Sequence, residues 1–127
     1  MSDMRTPLSH VRGHGSARTG TTHFWMQRLT AFINLPLALF FVALLLALIG
    51  ADYQTVRSYL AHPLVAIPLL GLILSGAWHM RIGMQSIIED YVHGTGAKVA
   101  LLIGNTVFSA TVAITCVYGV LKIGLNS

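Results

Sequence analysis

One histidine and its neighbours form the part of this sequence where a functional site is most expected. His79 stands within a long apolar segment, with Gly76 three residues before it and Gly83 four residues after it. Residues at these separations share one face of a helix. An imidazole inside a membrane is costly unless it has a partner, so His79 is a functional candidate by default.

Two interpretations of this face follow from the residues. Two glycines beside an imidazole leave a flat recess, which lets a porphyrin plane approach the backbone while an imidazole nitrogen reaches the haem iron. The alternative is close helix packing through small residues, with His79 hydrogen-bonded to a neighbouring helix. Ser75, four residues before His79, is a candidate hydrogen-bond partner for the ring, although a serine bonded to its own helix is the favoured alternative. No second histidine lies at matching depth, so a partner chain would have to donate the other axial ligand of an electron-transferring haem.

A second polar group follows on the same predicted helix. Asp90 and Tyr91 come eleven and twelve residues after His79, about 17 to 18 Å further along a helix axis, at the membrane interface. A phenol can donate a hydrogen bond to a quinone carbonyl, and an adjacent carboxylate can orient a cation or carry protons. The alternative is an aromatic belt residue beside a solvated charge. Arg81 is predicted to face another side of the helix, and His93 to lie in a loop; neither has an assigned role.

The elements that must position these residues are transmembrane helices. With 54% hydrophobic and only 9% charged residues, the chain has too little polar surface to cover a soluble globule. We therefore predict an all-α membrane protein with a polar N-terminal tail at residues 1–22 and an anchor domain at residues 23–127. Its three transmembrane helices are predicted at about 23–51, 63–89 and 97–123.

Long uncharged runs support this prediction. Residues 29–51 and 99–121 each comprise 23 residues without a charge, which is about 34 Å of helix and enough to cross a hydrocarbon core of about 30 Å. The segment from Pro63 is also uncharged until Arg81. Proline at the first turn suits a helix start.

The distribution of charge predicts topology rather than nucleic-acid binding. The formal net charge is +4, and four of the eight basic residues precede the first apolar run. The positive-inside rule then predicts a cytoplasmic N-terminus and a periplasmic C-terminus in a bacterial inner membrane. Cys116 is the sole cysteine, so neither an intrachain disulfide nor a Cys-rich metal site is possible.

Two short motifs carry a resemblance to a known family. They are His23-x4-Arg28 at the start of the first transmembrane helix and His79-x3-Gly83-x6-Asp90-Tyr91-Val92 along the second. Together with the tail and three helices, they resemble the small hydrophobic membrane-anchor subunit of succinate dehydrogenase (respiratory complex II), the type usually called the D subunit.

The resemblance implies a role for each motif residue. It implies that His79 is an axial ligand of haem b and that Arg28 and His23 face the haem propionates. It further implies that Tyr91 hydrogen-bonds ubiquinone and that Asp90 supports the same site.

The resemblance also implies a set of partners. These are a second hydrophobic anchor subunit that shares the haem, an iron–sulfur subunit and a flavoprotein subunit, which hold the iron–sulfur clusters and the flavin. The chain would then be a subunit without catalysis of its own, acting in electron transfer from succinate to ubiquinone. A quinol:fumarate reductase anchor, which works in the opposite direction, is a further possibility within the same family. The alternative function is a cofactor-free small membrane protein, either an assembly factor or a protomer of an oligomeric channel or transporter, with His79 and Arg81 lining a polar path.

Overall fold

The chain folds into helices that run along the membrane-spanning segments. The computed structural model describes residues 4, 6–13 and 19–125, and the regular elements in that part of the chain are all α-helices. In chain order they are α1 (Pro7–Gly13), α2 (Thr19–Leu48), α3 (Tyr53–Ala61), α4 (Pro63–Tyr91) and α5 (Thr95–Leu125).

Three of these helices are long and apolar enough to span a membrane. The spans within α2, α4 and α5 contain 28, 29 and 31 residues, corresponding to about 42 to 47 Å of helix. Since a hydrocarbon core is about 30 Å thick, each helix extends beyond the core. The predicted all-α fold with three transmembrane helices is confirmed.

The ends of α2 differ from the predicted bounds for physical reasons. The helix begins at Thr19, so its first residues lie in the segment predicted as tail; this segment also contains α1. The helix ends at Leu48 because Gly50 has a φ of +76°, a left-handed conformation that glycine adopts readily after a helix. The backbone N–H of Ala51 closes the turn by donating to the carbonyl of Leu48 at 3.0 Å.

The connection between α2 and α4 is helical rather than an irregular loop. Asp52 caps α3 by accepting a hydrogen bond from the backbone N–H of Thr55 at 3.0 Å. His62 caps α4, accepting from the N–H of Leu64 at 3.2 Å, and Pro63 occupies the first turn as predicted. These caps satisfy backbone donors that have no partner within their own helices.

Helix α4 is the element against which the others are arranged. It packs against α2 and against α5, and α3 packs against both α5 and α4. Among the described residues, few apolar side chains are buried: Leu44, Leu69, Ile82 and Ile88. Most apolar side chains face outward, as expected for helices whose surroundings are lipid or partner helices.

Candidate functional site

His79 lies in the middle of α4, where its side chain contacts α2. Its Nδ1 atom is 2.8 Å from the hydroxyl oxygen of Thr30, a residue with only 6% of its surface exposed. Because α4 runs from Pro63 to Tyr91, this contact is about 18 Å from the Tyr91 end of the helix. The pair is a polar contact within the transmembrane region.

The hydrogen-bond partner of His79 differs from the one suggested by the sequence. The hydroxyl of Ser75 is buried and makes no hydrogen bond within the described part of the chain. The ring instead contacts Thr30, which is 49 residues away in sequence. The sequence did not predict Thr30 as this partner, because a spacing of four residues identifies neighbours on the same helix and Thr30 lies on another helix. The available signal was a polar side chain in the uncharged run that follows Arg28.

A groove along α2 brings His79 and Arg28 together. It has a volume of about 450 Å³ and is lined by Gln27, Arg28, Ala31, Phe32, Leu35 and His79. The guanidinium carbon of Arg28 lies 5.0 Å from the centre of the Phe24 ring, which is within the range of a cation–π interaction. The groove therefore combines an imidazole, a fixed cation and apolar walls, in the size range of small-molecule sites.

His23, the other residue predicted to face propionates, lines a different groove. That groove is formed by Thr22, His23, Met26, Trp78, Arg81, Ile82 and Gln85. The Nε2 atom of His23 is buried and has no hydrogen-bond partner among the described residues. Five residues turn a helix by about 140°, which directs His23 and Arg28 to different sides of α2. The structure thus separates two residues that the short motif placed together.

The two glycines beside His79 have different surroundings. A Cβ atom at Gly83 would lie 3.4 Å from the side-chain nitrogen of Gln27, whereas a Cβ atom at Gly76 would meet nothing within 4 Å in the described chain. Neither glycine lines the groove that His79 shares with Arg28. Gly83 allows α2 to approach closely, and the walls of the groove come from α2.

Arg81 makes its side-chain hydrogen bond to α5, although it also lines the groove that contains His23. Its Nε donates to the hydroxyl of Thr106 at 3.2 Å, and its guanidinium carbon is 5.3 Å from the centre of the Trp78 ring. The side-chain amide of Asn105 donates to the carbonyl of Arg81 at 2.9 Å. Ser109, 4% exposed, lies next to Asn105 on α5. These contacts make the Arg81 region part of the α4–α5 interface.

Asp90 and Tyr91 are the last two residues of α4. Both are exposed, with 76% of the Tyr91 surface accessible, and neither side chain makes a hydrogen bond within the described chain. The nearby amine of Lys98 donates to the carbonyl of Glu89 at 3.4 Å, a favourable place for a cation at a helix C-terminus. A phenol and a carboxylate are therefore free to contact a ligand or a partner.

The described residues contain no group of three or more His, Cys, Asp or Glu side chains that could hold a metal ion. A metal at His79 would therefore take one protein ligand from this part of the chain. A haem iron meets that condition, because the porphyrin provides four nitrogen ligands and a partner chain can donate the remaining axial ligand.

Comparisons with known proteins give a consistent result. Residues 2–118 match the model of the family described as succinate dehydrogenase/fumarate reductase transmembrane subunit. The succinate dehydrogenase hydrophobic membrane anchor subunit of Rickettsia bellii is 32% identical over 107 residues, which cover 84% of this chain and 86% of the relative. The corresponding subunit of Paracoccus denitrificans is 28% identical over 122 residues, covering 96% and 94%. The succinate dehydrogenase membrane anchor subunit of Reclinomonas americana is 34% identical over 87 residues, covering 65% and 71%. No solved structure matches the chain.

Proposed function

The chain belongs to the succinate dehydrogenase/fumarate reductase transmembrane-subunit family, and from this premise we propose that it co-ligates haem b and contributes to a ubiquinone-reduction site. It is a multi-pass membrane-anchor subunit of succinate dehydrogenase. Its proposed roles are to hold one axial position of the haem through His79 and to present Tyr91 and Asp90 to ubiquinone.

The observation that carries the haem proposal is the contact of His79 with Thr30. Nδ1 lies 2.8 Å from the Thr30 hydroxyl, and Nε2 makes no hydrogen bond within the described chain, so Nε2 is the nitrogen available to iron. Arg28 lines the same groove and would donate charge-assisted hydrogen bonds to a propionate. The residues therefore fit the group. When bound, haem b supplies a centre that accepts and returns one electron.

The quinone proposal rests on the exposed end of α4. Tyr91 carries a phenol that can donate a hydrogen bond to a quinone carbonyl, and its exposure leaves that phenol accessible. Asp90 beside it supplies a carboxylate that can hold a cationic group of a partner subunit or transfer a proton. The two proposed sites are about 18 Å apart along the helix axis.

Three partner subunits and one orientation in the membrane complete the proposed function. We propose a second hydrophobic anchor subunit that donates the other axial ligand, together with an iron–sulfur and a flavoprotein subunit whose clusters and flavin deliver electrons from succinate. Four arginines before the first apolar run support a cytoplasmic N-terminus and a periplasmic C-terminus in a bacterial inner membrane.

Replacing the proposed ligand tests the haem role. In His79→Ala, the complex purified from native membranes should lose its low-spin haem spectrum, because the axial nitrogen is gone. His93→Ala is the matched control, since His93 lies in the exposed connection after α4 and its variant should keep the wild-type spectrum. An unchanged low-spin spectrum in His79→Ala would overturn the proposal. A colourless homo-oligomer purified from wild-type membranes would instead support the cofactor-free alternative.

Removing one hydroxyl tests the quinone role. Tyr91→Phe should lower quinone reduction about tenfold, the effect of losing roughly one hydrogen bond, while succinate oxidation with an artificial acceptor stays near wild type. Tyr118→Phe is the control because Tyr118 is also exposed, on α5. Equal loss of both activities in Tyr91→Phe would indicate defective assembly and would contradict the assignment.

A further inference from the structure

The hydroxyl of Thr30 has three neighbours and one proton. Its oxygen lies 2.8 Å from the carbonyl oxygen of Met26, 3.0 Å from that of Gln27 and 2.8 Å from Nδ1 of His79. Carbonyl oxygens only accept hydrogen bonds, whereas an imidazole nitrogen either donates or accepts according to its tautomer. The position of a single proton therefore determines the chemistry of the histidine.

Only one proton arrangement satisfies all three contacts. If the Thr30 hydroxyl donates to the carbonyls, its lone pair accepts a hydrogen bond from a protonated Nδ1 of His79. If the hydroxyl donates to Nδ1 instead, two carbonyl oxygens face the Thr30 oxygen without a proton between them. Thr30 is 6% exposed, so bulk water does not relieve that repulsion between oxygen atoms 2.8 and 3.0 Å apart, and electrostatic repulsion is stronger in a low-dielectric interior. The geometry therefore places the proton of neutral His79 on Nδ1.

This tautomer is the one that a metal ligand requires. A neutral imidazole protonated at Nδ1 carries its lone pair at Nε2, the nitrogen that has no hydrogen bond within the described chain. Partners of the second ring nitrogen generally set the tautomer and orientation of ligating histidines. We propose that Thr30 is a positioning residue that holds His79 in the Nδ1–H tautomer and so leaves Nε2 free to coordinate the iron. This role rests on the proposed haem function.

Thr30 differs from an ordinary threonine of a transmembrane helix because it has a partner on another helix. Threonine commonly bonds the carbonyl four residues earlier on its own helix, and Thr111 on α5 does so with Val107 at 2.8 Å. Thr30 makes the same local bond and, in addition, contacts a side chain on α4. Thr111→Val is therefore the matched control, because it removes the local bond alone.

The test uses the whole purified complex and measures haem retention. We expect Thr30→Val to release haem to an apomyoglobin acceptor at least about tenfold faster than wild type, the lower end of the effect of losing such a partner. The midpoint potential of the haem should rise, because a less basic imidazole stabilises the ferric state less. Thr30→Ser keeps the hydroxyl and should stay within about twofold of wild type, as should Thr111→Val.

The outcomes separate this proposal from the one on which it rests. If His79→Ala loses the haem while Thr30→Val retains it as wild type does, the positioning role is overturned and the ligand role stands. If His79→Ala keeps its haem spectrum, both are overturned. If Thr30→Val prevents assembly, Thr30→Ser decides: haem retention within about twofold of wild type supports the proposal, and a tenfold loss overturns it.

Discussion

On the α2 side of α4, the hydroxyl of Thr30 lies 2.8 Å from Nδ1 of His79; on the α5 side, the hydroxyl of Thr106 accepts a hydrogen bond from Nε of Arg81 at 3.2 Å. Each threonine also bonds a carbonyl four residues earlier on its own helix. The two interfaces thus join a basic side chain of α4 to a threonine in the same way.

The chemistry of the two basic side chains makes the interfaces different. A guanidinium has donors only, so Arg81 cannot coordinate a metal, whereas neutral His79 keeps one free lone pair. On the α5 side, Asn105 also bonds the backbone of Arg81, and α3 packs against both α5 and α4. Each side also has a groove, of about 450 Å³ beside His79 and about 380 Å³ beside Arg81. Because His79 has a lone pair and Arg81 has none, we propose that the α2–α4 side holds the ligand and that the α4–α5 side stabilises the fold.

The largest effect on stability is expected where α3 meets α5. A Cβ atom at Gly124 would lie 2.8 Å from the carbonyl oxygen of Leu60 and 3.7 Å from the Cα of Ala61, and a backbone cannot move aside as a flexible side chain can. Gly124→Ala should therefore destabilise the complex by about 1–3 kcal/mol, measured by thermal denaturation of the purified complex. Its haem spectrum should not change.

The control for this variant is Gly119→Ala on the same helix, where a Cβ atom meets nothing within 4 Å in the described chain. If the two variants were equally stable, the tight contact between α3 and α5 would be refuted. A lost haem spectrum in Gly124→Ala, with the complex still assembled, would contradict the division between a structural side and a ligand side.

A smaller effect is expected at the α4–α5 contact itself. Asn105→Leu removes the hydrogen bond to the carbonyl of Arg81, and such bonds between membrane helices contribute about 0.6 kcal/mol on average and at most about 1.7 kcal/mol. The expected result is a slightly lower denaturation temperature with unchanged haem retention. If haem were released as fast as in Thr30→Val, the two sides of α4 would not differ as proposed.

The smallest effect concerns the pH dependence of α3. Hydrogen bonding by Thr55, through its side chain and then its backbone N–H, holds the pKa of Asp52 below its ordinary value. Because the folded pKa is the lower one, the charged cap stabilises α3 above the unfolded value of about 3.9, and this contribution is lost as the pH falls through the folded pKa. Amide hydrogen exchange at Thr55 should therefore show weaker protection in acid.

Asp52→Asn gives the comparison for this measurement. Asparagine caps a helix about as well as aspartate but does not titrate, so the protection of Thr55 in this variant should not depend on the cap's ionisation. A parallel acid response in both proteins would assign the pH dependence to another group. The haem spectrum of Asp52→Asn should equal that of the wild type, because the cap lies at the start of α3, outside the membrane-spanning helices.

Local sequence patterns predicted the elements better than they predicted contacts. Three apolar runs predicted three transmembrane helices, and Pro63 predicted the start of α4. The end of α2 was predicted three residues too far along because an uncharged run continues past Leu48, whereas the positive φ of Gly50 ends the helix earlier. Hydrophobicity reports where a membrane helix can be, and backbone conformation decides where it stops.

The sequence by itself determined that His79 lies deep in a transmembrane helix, that Arg81 points elsewhere, and that Asp90 and Tyr91 reach the end of that helix. These statements depend only on spacing along one helix. The tertiary structure alone decided that Thr30 is the partner of His79 and that Arg28, rather than His23, shares its groove. Contacts between helices depend on how each helix is rotated against its neighbours, and the packing of α2 against α4 sets that rotation.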